Sequence, residues 1–371
     1  MSGFRVTALA TGASIGIALL LTAAGCRSRP LMTVMNGNMQ VKGKMDMAGD
    51  MSMRGDMKMA GEVSTVMKTD NTASRLASVT IHPSPQPTSD NKVCIIDVDG
   101  LMVNKNMSGF GSMGENPVAL FREKLDFVTA DASIQALVLR INSSGGGVTA
   151  SDMMSRNLER FVAERPLPIV ACIMDVGAGG AYYLACGCDH VVAHPTSLVG
   201  GIGVIMNTYN LEDMMGQFGI LPIPIKQGTM IDMGTPGRAM EEIERKTLQD
   251  IANQFHGRFV AKVKSNRNGL TSTEALFDGR VLSGDDALRA GLVDQLGYLD
   301  DAIEQACQLA AIKSQPEIVM LRRDRDRAYT ALDVTPNSPS MHSIIPIKVP
   351  GLDRSSLPTF LYLWQPEPAT L

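Results

Sequence analysis

Two glycine clusters stand out for the chemistry they permit: Gly145, Gly146 and Gly147 in LVLRINSSGGGVTAS, and Gly177, Gly179 and Gly180 in DVGAGGAYYLACGCDHVVAHP. Each follows an apolar run. Glycine at such a place lets backbone N–H groups approach a ligand closely, as an oxyanion hole must when negative charge develops on a carbonyl oxygen. Tight packing of a helix on a strand is the plainer reason for either cluster alone. A phosphate cradle fits worse, because neither cluster has the GxxxxGK(S/T) spacing. The polar side chains nearest these clusters in sequence are Ser143, Ser144, Tyr182, Thr196 and Ser197, with Lys226 further on. His190 and His194 also fall close, but no Ser–His–Asp order follows from the spacing, so surface or packing roles suit them better.

The elements that must position these loops alternate between strand and helix. KVCIIDVDGLMV is an apolar run fit for a buried strand, ALVLRINSSGGG is a second, and PIVACIMDV is a third. After the second, Thr149 or Ser151 is placed to cap a helix whose Met154, Leu158, Phe161 and Val162 fall on one stripe. A longer helix near 240–266 keeps Leu248, Ile251, Phe255 and Phe259 on one side. Such alternation predicts an α/β fold with mainly parallel strands, whose chemistry sits on loops at the strand C-termini.

The ends of the chain read differently. Arg5, an uncharged run from Val6 to Gly25, and then Cys26 with two arginines have the shape of a secretory signal. Ala23, Ala24 and Gly25 before Cys26 resemble a bacterial lipobox, in which the signal (1–25) is cut and the Cys26 thiol carries a lipid; an uncleaved spanning helix is the alternative. Both put the rest of the chain outside the cytoplasm. Residues 26–68 hold a hexad with glycine at 37, 43, 49, 55 and 61, and the odd-numbered positions from 35 to 63 are Met, Val or Gly. That is period 2, hence extended chain with one apolar face, folded into short strands or paired with neighbouring copies. A sharper reading has the thioethers of Met45, Met47, Met51, Met53, Met57 and Met59 binding Cu(I), a soft ion, although no His or Cys accompanies them. A plain strand face explains the same pattern, and no cofactor is expected. Residues 69–91 read as a linker and 313–371 as a flexible, partly disordered extension, neither belonging to the core.

With Lys+Arg 34 against Asp+Glu 38 and a net charge of −4, no basic footprint for nucleic acid exists. Six cysteines form neither a dense disulfide framework nor paired metal knuckles, and Cys186 and Cys188 read as small buried residues.

LVLRINSSGGGVTAS, DVGAGGAYYLACGCDHVVAHP, GGIGVIM, KQGTMIDMGTP and DGRVLSGDDALRAGLVDQLG occur in the order and spacing of the signal peptide peptidase A family of serine peptidases. The resemblance spans about residues 92–312. It implies the Clp protease/crotonase-like fold of repeated ββα units, and a membrane-associated, oligomeric peptidase that degrades cleaved signal peptides with a Ser–Lys dyad. In such a dyad a desolvated lysine of lowered pKa accepts the serine proton.

Aligned through Asp175, Val176, Tyr182 and Tyr183, the family's serine falls on Gly179; aligned through Lys226, Gly228, Asp232, Met233, Gly234 and Pro236, its lysine falls on Ile231. A further serine position reads glycine in Gly201-Ile202-Gly203-Val204. Isoleucine suits a desolvated pocket that no longer holds an amine. The family's geometry makes the oxyanion donors the N–H groups of Gly180 and of Gly145 or Gly146, which still suit a peptide carbonyl. The expectation is therefore a lipid-anchored envelope protein, catalytically degenerate, that binds peptides or signal-peptide remnants as a homo-oligomer or beside an active relative. The alternatives are a working serine peptidase with a relocated nucleophile or base, such as Lys226, and crotonase-type acyl-CoA chemistry.

Overall fold

The computed structural model describes residues 75–84, 91–106, 115–271, 274–323, 330–332 and 360–364, together with the backbone of six short strands nearer the N-terminus. Cys26 and the signal, and the side chains of the Met/Gly repeat with its six candidate copper ligands, lie outside what is described. The chain divides into two units, Met1–Asp70 and Asn71–Leu371. In the first, β1 (Met32–Asn36), β2 (Met39–Val41), β3 (Met45–Asp46), β4 (Ser52–Met53), β5 (Met57–Met59) and β6 (Glu62–Val66) pair in nested antiparallel order. Met32 stands opposite Val66, Met39 opposite Met59 and Met45 opposite Met53, so every pair is equidistant in sequence from position 49.

The second unit is built on one sheet. Its strands are β7 (Leu76–His82), β8 (Lys92–Met102), β9 (Ile134–Gly147), β10 (Ile169–Ala178), β11 (His190–Ala193), β12 (Leu198–Gly200), β13 (Val281–Ser283), β14 (Gln295–Leu296), β15 (Glu317–Arg323) and β16 (Leu361–Leu363). The main path runs β13-β12-β10-β9-β8-β15-β7. Among the described strands six pairings are parallel, and those of β7 with β15, β12 with β13 and β16 with β9 are antiparallel. The fold is thus α/β with mainly parallel strands, as the three apolar runs predict.

Those central strands are apolar on both faces because both are covered. Cys94, Ile96, Leu137, Leu139, Ala171 and Ile173 join the core beneath α1 (Pro117–Ala130), α2 (Val148–Glu164) and α3 (Gly180–Ala185). Val93, Ile95, Ala136, Val138, Val170 and Cys172 face the other way and share a second core with residues of α7 (Leu299–Leu309). The helices α4 (Glu212–Gln217), α5 (Glu242–Asn266) and α6 (Gly284–Ala290) complete the unit. The expected stripe on α2 holds at Met154, Leu158 and Phe161, but Val162 is 39% exposed, since the next residue round a helix turns about 100° away. Neither Thr149 nor Ser151 caps α2: the cap is Gly147, still extended because it is paired in β9, and Ser151 donates one turn inside to the Gly147 carbonyl at 2.9 Å.

Two stretches expected to stay out of the core contribute to the sheet. Within 69–91, Leu76–His82 form an edge strand in which Val79 and Ile81 pack on the second core and Leu76 is buried at the start. Within 313–371, Glu317–Arg323 lie parallel to β8, and Leu361–Leu363 pair with the end of β9. Polar neighbours hide these alternations in the sequence, and an edge strand needs only one buried face.

Candidate functional site

The cleft arises where β9 and β10 part. They are paired up to Ser143 and Gly177, past an irregularity in β10 after Ile173. Beyond that point β10 continues alongside β12, whereas β9 takes β16 as its new neighbour. A gap at the C-terminal ends of parallel strands is where α/β sheets offer a binding crevice.

The gap is filled by residues 360–364 in extended form. On one side Val148 N–H donates to the Phe360 carbonyl at 3.2 Å and Trp364 N–H to the Ser144 carbonyl at 2.9 Å. On the other, Leu361 and Ile205 exchange two N–H···O bonds of 3.0 Å. The alternation of an antiparallel ladder then makes Tyr362 and Gly146 a hydrogen-bonded pair, with the Tyr362 carbonyl facing β9.

That carbonyl lies among the glycines. A side chain on Gly145 (φ +105°) or on Gly179 (φ +54°) would fall on the Tyr362 carbonyl oxygen, and both positions have the left-handed φ that favours glycine. The point where a Gly145 Cβ would sit is also 2.6 Å from the amide nitrogen of Gly180, the first residue of α3, whose N–H has no partner inside the helix. Gly145, Gly146, Gly179 and Gly180 are therefore brought together around one peptide carbonyl. Of the two alternative donors on β9, Gly145 is committed elsewhere: its N–H bonds the Ser143 hydroxyl at 3.0 Å. Gly146 is the one that faces the occupant.

The Tyr362 ring, wholly buried, enters an aromatic box. Its centroid is 4.8 Å from Phe259 and 5.4 Å from Tyr183, and its hydroxyl donates to the Phe255 carbonyl at 2.7 Å. Phe360, on the same face, meets Phe255 edge to face at 5.3 Å. Burying such a ring stabilises the segment by about 2–3 kcal/mol. Burial also pushes the Tyr183 hydroxyl up to about 12, helped by Asp152, which accepts its hydrogen bond at 2.9 Å. Beyond Tyr362 the groove opens into a cleft of about 410 Å³ lined by Gly203, Gln249, Asn253, His256 and Trp364.

Three serines near the cleft are spent on backbone, while Ser144 contributes its own carbonyl to the Trp364 N–H. Ser143 donates to the Gly100 carbonyl at 2.6 Å, Ser151 to Gly147, and Ser197 to the Ile173 and Met174 carbonyls. Lys226 is held by Asp232 at 2.7 Å, in a cluster with Arg238 and Glu244. Ile231 is not in a desolvated pocket: it is 73% exposed on the turn over 229–234. The motif alignment fixed its place in the sequence, and nothing in that place buries it. Tyr182 is fully buried with its hydroxyl on the Leu292 carbonyl, and His194 stacks 4.8 Å from Tyr298, where burial lowers its pKa. Cys186 and Cys188 are buried thiols, the first pushed up to about 12 by desolvation and the second higher still. Among the described residues no group of His, Cys, Asp and Glu is arranged to hold a metal, and no helix is long and apolar enough to cross a membrane.

Reasoning from sequence missed the box and its occupant. Phe255 and Phe259 were legible as a helix stripe, but Phe360–Trp364 fell in the supposed tail. The signal was FLYLW, five apolar residues bounded by Pro358 and Pro366, a strand-like run.

A mainly parallel α/β sheet whose strand ends open onto glycine amides and an extended peptide defines a peptidase-type cleft. Residues 163–313 match peptidase family S49. A protein named as a protease from Methanocaldococcus jannaschii is 36% identical over 196 residues, 53% of this chain and 62% of that protein. One named as a signal peptide peptidase from Enterococcus faecium is 29% identical over 217 residues, 58% of this chain and 63% of that protein. This chain thus spans a little under two thirds of the length of these relatives. A solved variant of a membrane-bound stomatin-specific protease, in complex with a substrate peptide, aligns at TM-score 0.40 and 13% identity over 62% of this chain and 92% of that one. Residues 163–313 thus carry the peptidase family S49 match, and over its central region the chain is similar to proteins named as signal peptide peptidases.

Proposed function

We propose that the protein binds extended peptides in the β9–Ile205 groove and does not cleave them. The observation that carries the reading is the seating of a peptide carbonyl against Gly146 and beside Gly180, with glycine where the family's serine would stand. Without a hydroxyl at 179 the family's nucleophile is missing beside that carbonyl, and oxyanion donors alone give only a small residue of a peptidase's rate. The commitment of Ser143, Ser151 and Ser197 to backbone carbonyls, and of Lys226 to Asp232, supports the same reading. The protein would act at the cell envelope, anchored by lipid on Cys26, in peptide handling as a homo-oligomer or beside a catalytically active relative.

The test is a fluorophosphonate probe applied to the purified full chain together with a fluorogenic peptide. No covalent adduct and no hydrolysis are expected. An adduct, with hydrolysis that disappears in Ser144→Ala or Lys226→Ala, would make the protein a working serine peptidase with a relocated nucleophile or base.

A further inference from the structure

We infer that the short ladder of β2 with β5 is a Cu(I) site whose donors are the thioethers of Met39, Met57 and Met59. The site is independent of the peptide-binding reading above and belongs to the other unit of the chain.

The strand register supplies the constellation. Met39 stands directly opposite Met59, and Val41 opposite Met57. Residues opposite each other in a ladder share a face, as do residues two apart on one strand. Met39, Met57 and Met59 therefore occupy three of the four adjoining positions on one face of this ladder, with Val41 at the fourth, while Gln40 and Lys58 take the other face. Opposite positions in an antiparallel pair have Cβ atoms about 4.5–5.5 Å apart, and diagonal ones lie about 7–8 Å apart. The methionine side chain, unbranched and with three rotatable bonds, is suited to converge on one ion from such spacings. Sequence spacing groups Met57 with Met59 alone; Met39 joins them only through the pairing of β2 with β5. In the ladder of β3 with β4, Met45 stands opposite Met53, which gives two such positions and no third among the described residues.

The choice of residue points to a soft metal. Of the odd-numbered positions from 35 to 63, eight are Met, five Gly and two Val, and none is Ile, Leu or Phe. A strand that needed only an apolar face would be better served by β-branched or aromatic residues, which pack well on a pleated surface. What methionine has and they lack is an uncharged, polarisable sulfur. Thioethers select Cu(I), whereas zinc and Cu(II) call for imidazole or thiolate and the hard cations for carboxylate. Neither His nor Cys occurs anywhere from 27 to 81. The acidic residues of the repeat, Asp46, Asp50, Asp56 and Glu62, fall on even-numbered positions, out of step with these methionines.

The test titrates the full chain with Cu(I) against the chromophoric chelator bicinchoninate, anaerobically and with ascorbate present. The comparison is the full-length triple variant Met39→Leu, Met57→Leu and Met59→Leu, a nearly volume-conserving change that removes the sulfurs. The unaltered chain should withdraw one equivalent of Cu(I) more than the triple variant, and equal uptake would overturn the site. The double variant Met45→Leu with Met53→Leu should keep that equivalent; its loss there would overturn the assignment to β2 and β5. Cysteines elsewhere in the chain also bind Cu(I), and pH separates the two donors. A thiol with an ordinary pKa of about 8.5 must shed a proton to bind, and a thioether has none to shed. Once the chelator's own titration is allowed for, the additional equivalent should be held equally well at about pH 5 and about pH 7. An equivalent lost on acidification would belong to cysteine and overturn the thioether site. X-ray absorption at the copper edge, on the unaltered chain with one equivalent bound, gives a measure that does not depend on a variant folding. A first shell of sulfur alone is expected, and nitrogen or oxygen in that shell would overturn the donor set.

Discussion

The carbonyl oxygen of Tyr362 occupies the space that any side chain on Gly179 would need. Gly179 also has φ +54°, ψ −126° at the junction of β10 and α3, a conformation that costs a non-glycine residue on the order of 1–3 kcal/mol. Gly179→Ser should therefore lower stability by about that amount and loosen residues 360–364. It should not create hydrolysis, because no lysine amine stands at 231 to take the serine proton. Urea unfolding and a fluorogenic peptide assay measure the two effects. A Gly179→Ser protein as stable as the parent would refute the clash, and one that cleaved peptide would show that a base lies within reach.

Tyr362 separates what the ring contributes from what its hydroxyl contributes. Tyr362→Phe removes one hydrogen bond, to the Phe255 carbonyl, and should cost about 1 kcal/mol. Tyr362→Ala empties the box beside Tyr183 and Phe259 and should cost about 3–5 kcal/mol if the segment stays in place. A smaller loss, accompanied by fast exchange at Leu361, would mean that the segment leaves the groove when the ring is lost. Thermal melts of the three proteins, read with hydrogen exchange, distinguish the two outcomes.

A buried charge cluster joining α1, β8 and β15 should set the acid limit. Lys124 on α1 donates to Asp97 at 2.6 Å, and Arg322 on β15 stands 3.5 Å from the other carboxylate oxygen. Burial alone would raise the Asp97 pKa, but these two cations override it and hold the carboxyl well below the usual carboxylate range. A carboxylate depressed in the folded state stabilises fully above its unfolded pKa, and that contribution is lost as pH falls toward the folded value. Stability should accordingly decline below about pH 4, the unfolded value for aspartate. Asp97→Asn should cost about 3–5 kcal/mol, because it leaves buried cations without their counter-charge, and should flatten the acid limb. Urea midpoints measured across that pH range check both statements; a parallel decline in the variant would assign the acid sensitivity to other groups.

The central sheet was legible because β8, β9 and β10 are unbroken apolar runs of strand length, a pattern that only burial on both faces explains. The cleft was half legible. Its glycines announced a close backbone approach, but which amide remained available depended on the Ser143 hydroxyl, a contact no spacing encodes. The identity of the occupant depended on a pairing between residues more than two hundred positions apart, Tyr362 with Gly146. A five-residue strand carries no local sign of the edge it will join. The environment of Ile231 was misjudged for a related reason: its motif specified a neighbour in sequence, while its exposure is decided by what the 211–240 segment packs against.

That segment bears on assembly. Leu221, Ile223 and Ile225 are 77%, 84% and 101% exposed, and Phe218 and Ile231 are exposed beside them in sequence. Monomeric soluble proteins rarely leave contiguous apolar surface of this kind uncovered, and it marks an interaction site when they do. A second copy of the chain is the partner expected from the oligomeric reading, covering Leu221 and these isoleucines. Leu221→Asp with Ile225→Asp should then reduce the assembly to smaller species in light scattering. Each side chain is already exposed within the chain, so each substitution should alter the stability of the isolated subunit by no more than about 0.5 kcal/mol. An unaltered chain that is monomeric at micromolar concentration would sink the oligomeric reading. A double variant that still assembles would move the interface away from this segment.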